Sequence, residues 1–312
     1  MKSLVMFFKL VRWPNLVFIL LTQLLFEYCI LRPLLLKTGI QAGVGGVAFL
    51  LVATAYILVA AAGYIINDYF DVPIDIINKP DKVFITNGMS KELALRIYVT
   101  INLLAITLGW YASIILQDNS AVLFIITCVV LLYFYSATLK KQFLIGNLLV
   151  SAISASALPV LSCMALKVDW MSPAVDGSPE LIHLSWLTYL YTGFAFVISF
   201  SREMIKDLED VEGDKQYGGR TVPIVLGISA SHRIIAGALL TLIIVLVCLL
   251  STIGLKILTL YAIALIIIPL TIILWKLFNA KEKIDYGHLS SNIKKVMLAG
   301  ILSMLFYKFF ML

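Results

Sequence analysis

The stretch Asn67-Asp68-Tyr69-Phe70-Asp71-Val72-Pro73-Ile74-Asp75 places three carboxylates at the end of an apolar run of some twenty uncharged residues. On a continuing helix, the spacing i, i+3, i+7 brings all three onto one face. Acids massed in this way repel one another, and a membrane segment gains nothing structural from them, so the pattern calls for a cation. It recurs 139 residues later in Asp207-Leu208-Glu209-Asp210-Val211-Glu212-Gly213-Asp214, again with acids at i, i+3 and i+7. Pro73 and Gly213 are expected to end their helices, leaving Asp75 and Asp214 just past the last turn. A helix C-terminus favours a cation and opposes a bare phosphate. Six carboxylates at two such ends therefore need divalent metal before an anion approaches. Mg2+ suits them, because it is hard, keeps several waters and takes one or two carboxylates plus substrate phosphate oxygens. Two facing clusters imply ions bridging one diphosphate.

Basic residues accompany the acids. Lys79 and Lys82 follow the first cluster, Lys206, Lys215 and Arg220 lie in and after the second, and Lys140-Lys141 end another apolar run. Together they describe a phosphate cradle. Arg12 and Asn15, in Arg12-Trp13-Pro14-Asn15, are placed at the same membrane depth and within reach of the same site. A diphosphate held by metal is a good leaving group, and its departure from an allylic chain leaves a carbocation that needs π-faces and no water. Tyr64, Tyr69, Phe70, Tyr133, Phe134, Tyr135, Phe194 and Phe196 lie at suitable depths, although each is also an ordinary packing residue.

The elements that position these groups follow from composition. Of 312 residues, 61% are hydrophobic and 13% charged, and the mean hydropathy is +1.00. Soluble domains carry about 25% charged residues, so this is an all-α integral membrane protein. Nine spans are expected, at about 14–32, 44–67, 93–116, 120–139, 143–166, 184–206, 231–253, 256–278 and 293–312. The first is read as a retained helix rather than a signal peptide. With the N-terminus in the cytoplasm, nineteen Lys and Arg fall on the inner side and five on the outer. That split obeys the positive-inside rule and sends the C-terminus outside. Net charge of +6 thus follows topology and is no nucleic-acid signature. Two long cytoplasmic loops, 68–92 and 207–230, begin with the acid clusters, and each is expected to carry a short helix. Ser90 before Lys91-Glu92-Leu93 reads as a helix cap. Both clusters follow even-numbered spans, which implies a parallel duplication within a single domain over 1–312: about 1–140, then 141–278, with a ninth helix at 293–312. Cys29, Cys128, Cys163 and Cys248 show no paired spacing and read as apolar packing residues.

At this point the residues resemble a family. Asn67 to Asp75 is similar to the NDxxDxxxD motif of the UbiA superfamily of intramembrane prenyltransferases. Asp207 to Asp214, followed by Gly219-Arg220-Thr221-Val222-Pro223, resembles its second Asp-rich motif, and Tyr135…Leu139-Lys140-Lys141 also fits. The resemblance implies a ring of nine helices with a small cytoplasmic cap and a cavity open sideways to lipid. It also implies Mg2+-dependent transfer of a polyprenyl group from its diphosphate to an aromatic ring or a hydroxyl. By motif position, Asn67, Asp71, Asp75, Asp210 and Asp214 would hold Mg2+ and diphosphate, joined by Asp68 and Asp207, and Lys140 would touch the diphosphate. The wording Arg202-Glu203-Met204-Ile205-Lys206-Asp207 is closest to the branch that alkylates the hydroxyl of geranylgeranylglyceryl phosphate. One departure is Asn78-Lys79-Pro80-Asp81-Lys82-Val83, where the family has Arg at the two Lys positions. Lysine keeps the charge and loses the bidentate fork.

Two other functions stay open at this level. An aromatic acceptor such as hydroxybenzoate, a naphthoate or chlorophyllide would use the same metal site. A cation-coupled transporter would also use acids, but at the bilayer midplane on broken helices of inverted repeats. Membrane lipid surrounds the chain, and no obligate protein partner is implied. By the span map His183 falls on the outer side and His232 and His288 in loops, which makes all three poor candidates for a base.

Overall fold

The computed structural model describes residues 2–38, 46–80, 83–166, 178–252 and 256–310. Apart from one isolated bridge between Ile85 and Met89, all regular structure in them is helical. In chain order the helices are α1 (Lys2–Leu10), α2 (Trp13–Lys37), α3 (Val47–Asn78), α4 (Lys91–Leu116), α5 (Ser120–Ala137) and α6 (Ile145–Ala155). They continue with α7 (Ala157–Leu166), α8 (Pro179–Gln216), α9 (Val222–Leu226), α10 (Ile228–Thr252), α11 (Lys256–Asn279) and α12 (Lys283–Phe309). Eight of them are long and apolar enough to cross a membrane, and α6 with α7 makes up to nine. The chain is a multi-pass integral membrane protein.

The fifth expected span is interrupted at Ser156, between α6 and α7. Pro159, early in α7, has no N–H to return to the carbonyl of Ala155, which weakens continuity there. Tyr56 Oη lies 3.3 Å from Ser156 Oγ and marks the break with a polar contact. Ser90 caps α4 as its sequence promised, accepting from the Leu93 N–H at 3.2 Å. The second long loop carries the short helix α9. In the first, Pro80 is in a 3-10 turn, residues 81 and 82 lie outside the described residues, and 83–90 contain only the 85–89 bridge.

The helices that bear the acids do not stop where expected. α3 continues through Pro73 to Asn78, and α8 through Gly213 to Gln216. Proline removes one intrahelical donor and is tolerated in spanning helices. Here its ring lies on the exposed side of α3. Glycine inside a helix costs only about 1 kcal/mol and is no stop by itself. The stop is Gly218, whose φ of +72° is left-handed. Gly219 N–H donates to the Asp214 carbonyl at 2.7 Å and Gly218 N–H to that of Lys215 at 3.4 Å, the paired bonds of a Schellman cap. Asp75 and Asp214 therefore lie in the last turn, not past it, and still near the negative end of the dipole. A Cβ on Gly219 would stand 2.8 Å from the Asp214 carbonyl oxygen. Gly219→Ala must open this cap, and thermal unfolding in detergent should show a loss of about 1–3 kcal/mol.

The chain divides into two compact units, 1–140 with 156–188, and 141–155 with 189–312. In the first, α3 packs chiefly along α4 and α5. Buried Ala53, Ala55, Ala61, Ala62, Ala105, Ala112 and Ala121 allow the close helix approach that membrane packing uses. A small core of Leu10, Val11, Ile65, Val72, Val83 and Ile85 sits beneath the acid-bearing end of α3. In the second unit, Ile198, Met204, Ile205, Val222, Ile235, Leu239, Leu270 and Ile293 form the centre of a larger core. Exposed Trp110, Tyr111, Trp186, Tyr189 and Trp275 suit surfaces that meet lipid and its interface. Cys29 and Cys128 are buried as expected, and Cys248 is exposed.

Candidate functional site

On the continuous helix α3, Asn67, Asp71 and Asp75 stand at i, i+4 and i+8 and form one stripe, with Asp68 at its flank. Asn67 Nδ2 donates to Asp71 Oδ2 at 2.8 Å. Lys140, just past α5, donates from Nζ to Asp71 Oδ1 at 2.5 Å and to Asn67 Oδ1 at 3.2 Å. Both members of this ion pair are largely buried, 11% and 16% exposed. Arg12 donates from Nη2 to Asp68 Oδ1 at 2.7 Å, and its guanidinium lies 4.9 Å from the centroid of the Tyr64 ring. Asn15 Nδ2 donates to Tyr64 Oη at 3.1 Å. Arg12, Asn15, Asn67, Asp68, Asp71 and Lys140 are thus drawn together.

Arg12 itself has a left-handed backbone, φ 51°, in the turn between α1 and α2. A non-glycine residue held there costs on the order of 1 kcal/mol and persists where the surroundings demand it. Here the demand is the ion pair and the stacked ring. Arg12→Ala leaves Asp68, 12% exposed, without this cation. We expect a stability loss of about 1–3 kcal/mol. Added Mg2+ should return part of it, and thermal unfolding with and without the ion reads both effects.

The second stripe, Asp207, Asp210 and Asp214, occupies the final turns of α8. Asn147 on α6 donates from Nδ2 to Asp207 Oδ2 at 2.8 Å. In each unit, then, the first acid of the triplet is held by a polar side chain from far earlier in the chain, Arg12 for Asp68 and Asn147 for Asp207. Lys206 binds both carboxylate oxygens of Glu203, at 3.0 and 3.2 Å. Lys215 and Arg220 are exposed. The Arg220 N–H donates to the Lys141 carbonyl at 2.7 Å, which ties the loop after α8 to the start of the segment leading into α6. Lys79 follows the last residue of α3 and Tyr135 is half-buried on α5. Lys82 lies outside the described residues.

Sequence reasoning passed over Asn147, Arg202 and Glu203 as site residues. A lone Asn in the apolar window Ile145–Ala155 was the available signal for the first. Two charges, Arg202 and Glu203, within an otherwise apolar run were the signal for the others. Of the aromatic candidates, Tyr133 and Phe134 are exposed, and with Phe70 they form an edge-to-face series. Phe196 stacks on Phe200 rather than standing alone.

Among the described residues, no three His, Cys, Asp or Glu side chains converge in a metal-binding group. The donor chemistry nonetheless fits Mg2+. Each stripe offers hard oxygen donors on one helix face, and Mg2+ needs only one or two carboxylates beside substrate phosphate. Asp68 and Asp71 are held by Arg12 and Lys140, the positions at which positive charge is required.

The family description "UbiA prenyltransferase family" matches residues 29–286. A digeranylgeranylglyceryl phosphate synthase of Thermococcus sibiricus is 33% identical over 185 residues, 59% of this chain and 58% of that protein. The Saccharolobus solfataricus protein of the same name is 32% identical over 216 residues, 69% of this chain and 70% of its own length. Several of these relatives are therefore matched over less than two thirds of their length. Among solved structures, a UbiA homologue from Aeropyrum pernix superposes with a TM-score of 0.62 at 15% identity, covering 97% of this chain and 98% of that one. A UbiA homologue from Archaeoglobus fulgidus, solved with DMAPP and Mg2+, gives 0.58 at 15% identity, over 96% and 99%. At these identities the structural likeness carries the fold.

Proposed function

This chain belongs to the UbiA prenyltransferase family, and from that membership we propose that it moves a polyprenyl group, best matched by geranylgeranyl, from its diphosphate to the hydroxyl of geranylgeranylglyceryl phosphate within the membrane. The acid-bearing helix ends and the N-terminus face the cytoplasm in this proposal, on the side that collects most of the Lys and Arg. The observation that carries it is the set Asn67–Asp71–Lys140. A lysine placed between a carboxylate and an amide at a helix end can serve an anion there once the carboxylate charge is met. The named synthases among the relatives support the acceptor.

Asn67, Asp71 and Asp75 would hold one Mg2+, and Asp207, Asp210 and Asp214 another. The ion supplies neutralising charge that lets a diphosphate bind beside carboxylates and depart with its electron pair. Lys140 donates to a diphosphate oxygen as negative charge grows on it. Arg12 keeps Asp68 oriented, and Asn147 does the same for Asp207. The apolar helices exclude water, which would otherwise capture the prenyl carbon. The acceptor oxygen forms the new C–O bond as the old one breaks, and its proton passes to the released diphosphate.

Incubating the purified protein with geranylgeranyl diphosphate and an equimolar mixture of geranylgeranylglyceryl phosphate, 4-hydroxybenzoate and dihydroxynaphthoate tests the acceptor. Mass spectrometry should find the diether phosphate as the main product. A prenylated aromatic as the main product would overturn this choice of acceptor and leave the metal site standing.

A further inference from the structure

One turn before the second acid stripe, α8 carries three further charges, Arg202, Glu203 and Lys206, whose side chains are 14%, 18% and 25% exposed. Charges this far buried on a membrane-spanning helix are costly and mark function by default. Glu203 joins the two cations. Its Oε1 accepts from Arg202 Nη1 at 2.8 Å and from Lys206 Nζ at 3.0 Å, and its Oε2 accepts from Lys206 Nζ at 3.2 Å. The three side chains carry two positive charges and one negative, and the Asp207 carboxylate lies close enough to act on Glu203 and Lys206. The guanidinium is not satisfied, because Arg202 Nε is buried and makes no hydrogen bond. The neighbouring Ser201 hydroxyl, on a fully buried residue, also makes none. Buried donors without partners are rare and need a reason. At 100° per residue, Glu203 continues the stripe of Asp207, Asp210 and Asp214, while Arg202 and Lys206 flank it on one side.

We propose that Arg202, Glu203 and Lys206 form a subsite for a phosphate monoester, the phosphate of the prenyl acceptor. The identity of that ligand as acceptor rests on the prenyl-transfer function above, but the binding of an anion does not. A monoester dianion offers three acceptor oxygens to the two cations. The Arg202 fork can take two of them through its unused Nε–H and a neighbouring Nη–H, a geometry lysine lacks. Lys206 and Asp210 are separated by a rise of about 6 Å. A glycerol backbone has about that reach between phosphate and hydroxyl, so a phosphate at Lys206 directs the hydroxyl toward the acid stripe. Glu203 is the stand-in anion that holds both cations in place without ligand and competes with the phosphate when it arrives. Lys215 and Arg220, exposed near the other end of the stripe, are not part of this subsite.

The test uses the full chain in detergent micelles, as wild type and as Arg202→Gln, Lys206→Gln and Glu203→Gln. KM is measured separately for geranylgeranylglyceryl phosphate and for geranylgeranyl diphosphate, and thermal shift is measured with glycerol 1-phosphate. Arg202→Gln and Lys206→Gln should raise the acceptor KM by about tenfold or more and leave the diphosphate KM within about twofold. Glu203→Gln removes the competing carboxylate and should lower the acceptor KM, a gain that a damaged fold cannot imitate. Glycerol 1-phosphate should stabilise wild type and not Arg202→Gln. A rise in the diphosphate KM instead, or an acceptor KM unchanged or raised in Glu203→Gln, overturns the subsite. Should wild type form no prenylated product, the prenyl-transfer function fails. The thermal shift then decides the anion subsite alone, and a shift retained in Arg202→Gln overturns it.

Discussion

Asp71→Ala and Asp210→Ala are each expected to lower prenyl transfer by about two to three orders of magnitude, the scale of losing one group that meets developing charge. Asp71 carries most of this expectation in the first unit, because it contacts both Asn67 and Lys140. Asp210 is the middle acid of a stripe that ends in the Schellman cap. Alanine at either position removes a hard oxygen donor and leaves the helix intact, since alanine favours helix more than aspartate does. The loss should therefore appear in turnover and in the Mg2+ concentration needed for half activity, while thermal unfolding shows a folded protein. Chelation of wild type should give the same loss, reversed by Mg2+. Wild-type turnover in both variants would remove the carboxylates from the mechanism.

Lys140→Met should produce two effects of opposite sign. The Nζ of Lys140 lies against Asp71, only 16% exposed, and against Asn67. Methionine keeps much of the side-chain length and removes the charge. Asp71 is then left without its nearest cation, so divalent metal binds more tightly, by several-fold. Turnover nevertheless falls by about a hundredfold, because the departing diphosphate loses a charged donor. Mn2+ binding followed by electron paramagnetic resonance reads the first effect, and single-turnover product formation reads the second. A purely structural lysine would lower stability and leave metal affinity unchanged.

The spans were legible because hydropathy reports solvent, and most boundaries fall within a few residues of the apolar runs. The helix ends that matter were not. α3 and α8 run on to Asn78 and Gln216, well past the apolar limits at 67 and 206. Charge marks where the hydrocarbon stops, while backbone hydrogen bonding continues into the headgroup region. Gly213 has the residue type of a stop, yet α8 ends only where Gly218 takes up a left-handed backbone. The acid stripes were legible from spacing alone, since helical periodicity converts sequence separation directly into a shared face. Their partners were harder to read. Arg12 reaches Asp68 across 56 positions, Lys140 reaches Asp71 across 69, and Asn147 reaches Asp207 across 60. Arg12 and Lys140 stand out in the sequence, but which acid each meets, and that Asn147 meets one at all, is set by tertiary packing, which no local pattern encodes. Arg202 and Glu203 were visible as charges, but their mutual pairing with Lys206 and the buried Nε needed coordinates.

Asn67, Asp71, Asp75, Asp207, Asp210 and Asp214 are proposed to act with Mg2+ on a prenyl diphosphate. The most direct measurement follows release of diphosphate from geranylgeranyl diphosphate by purified wild-type protein in lipid nanodiscs, with geranylgeranylglyceryl phosphate present and Mg2+ added last. Diphosphate and ether product should appear together in equal amounts, starting only on addition of the metal. Release of neither, alongside substrate-dependent ion flux when the same protein is reconstituted into sealed vesicles, would contradict the account and make the chain a transporter.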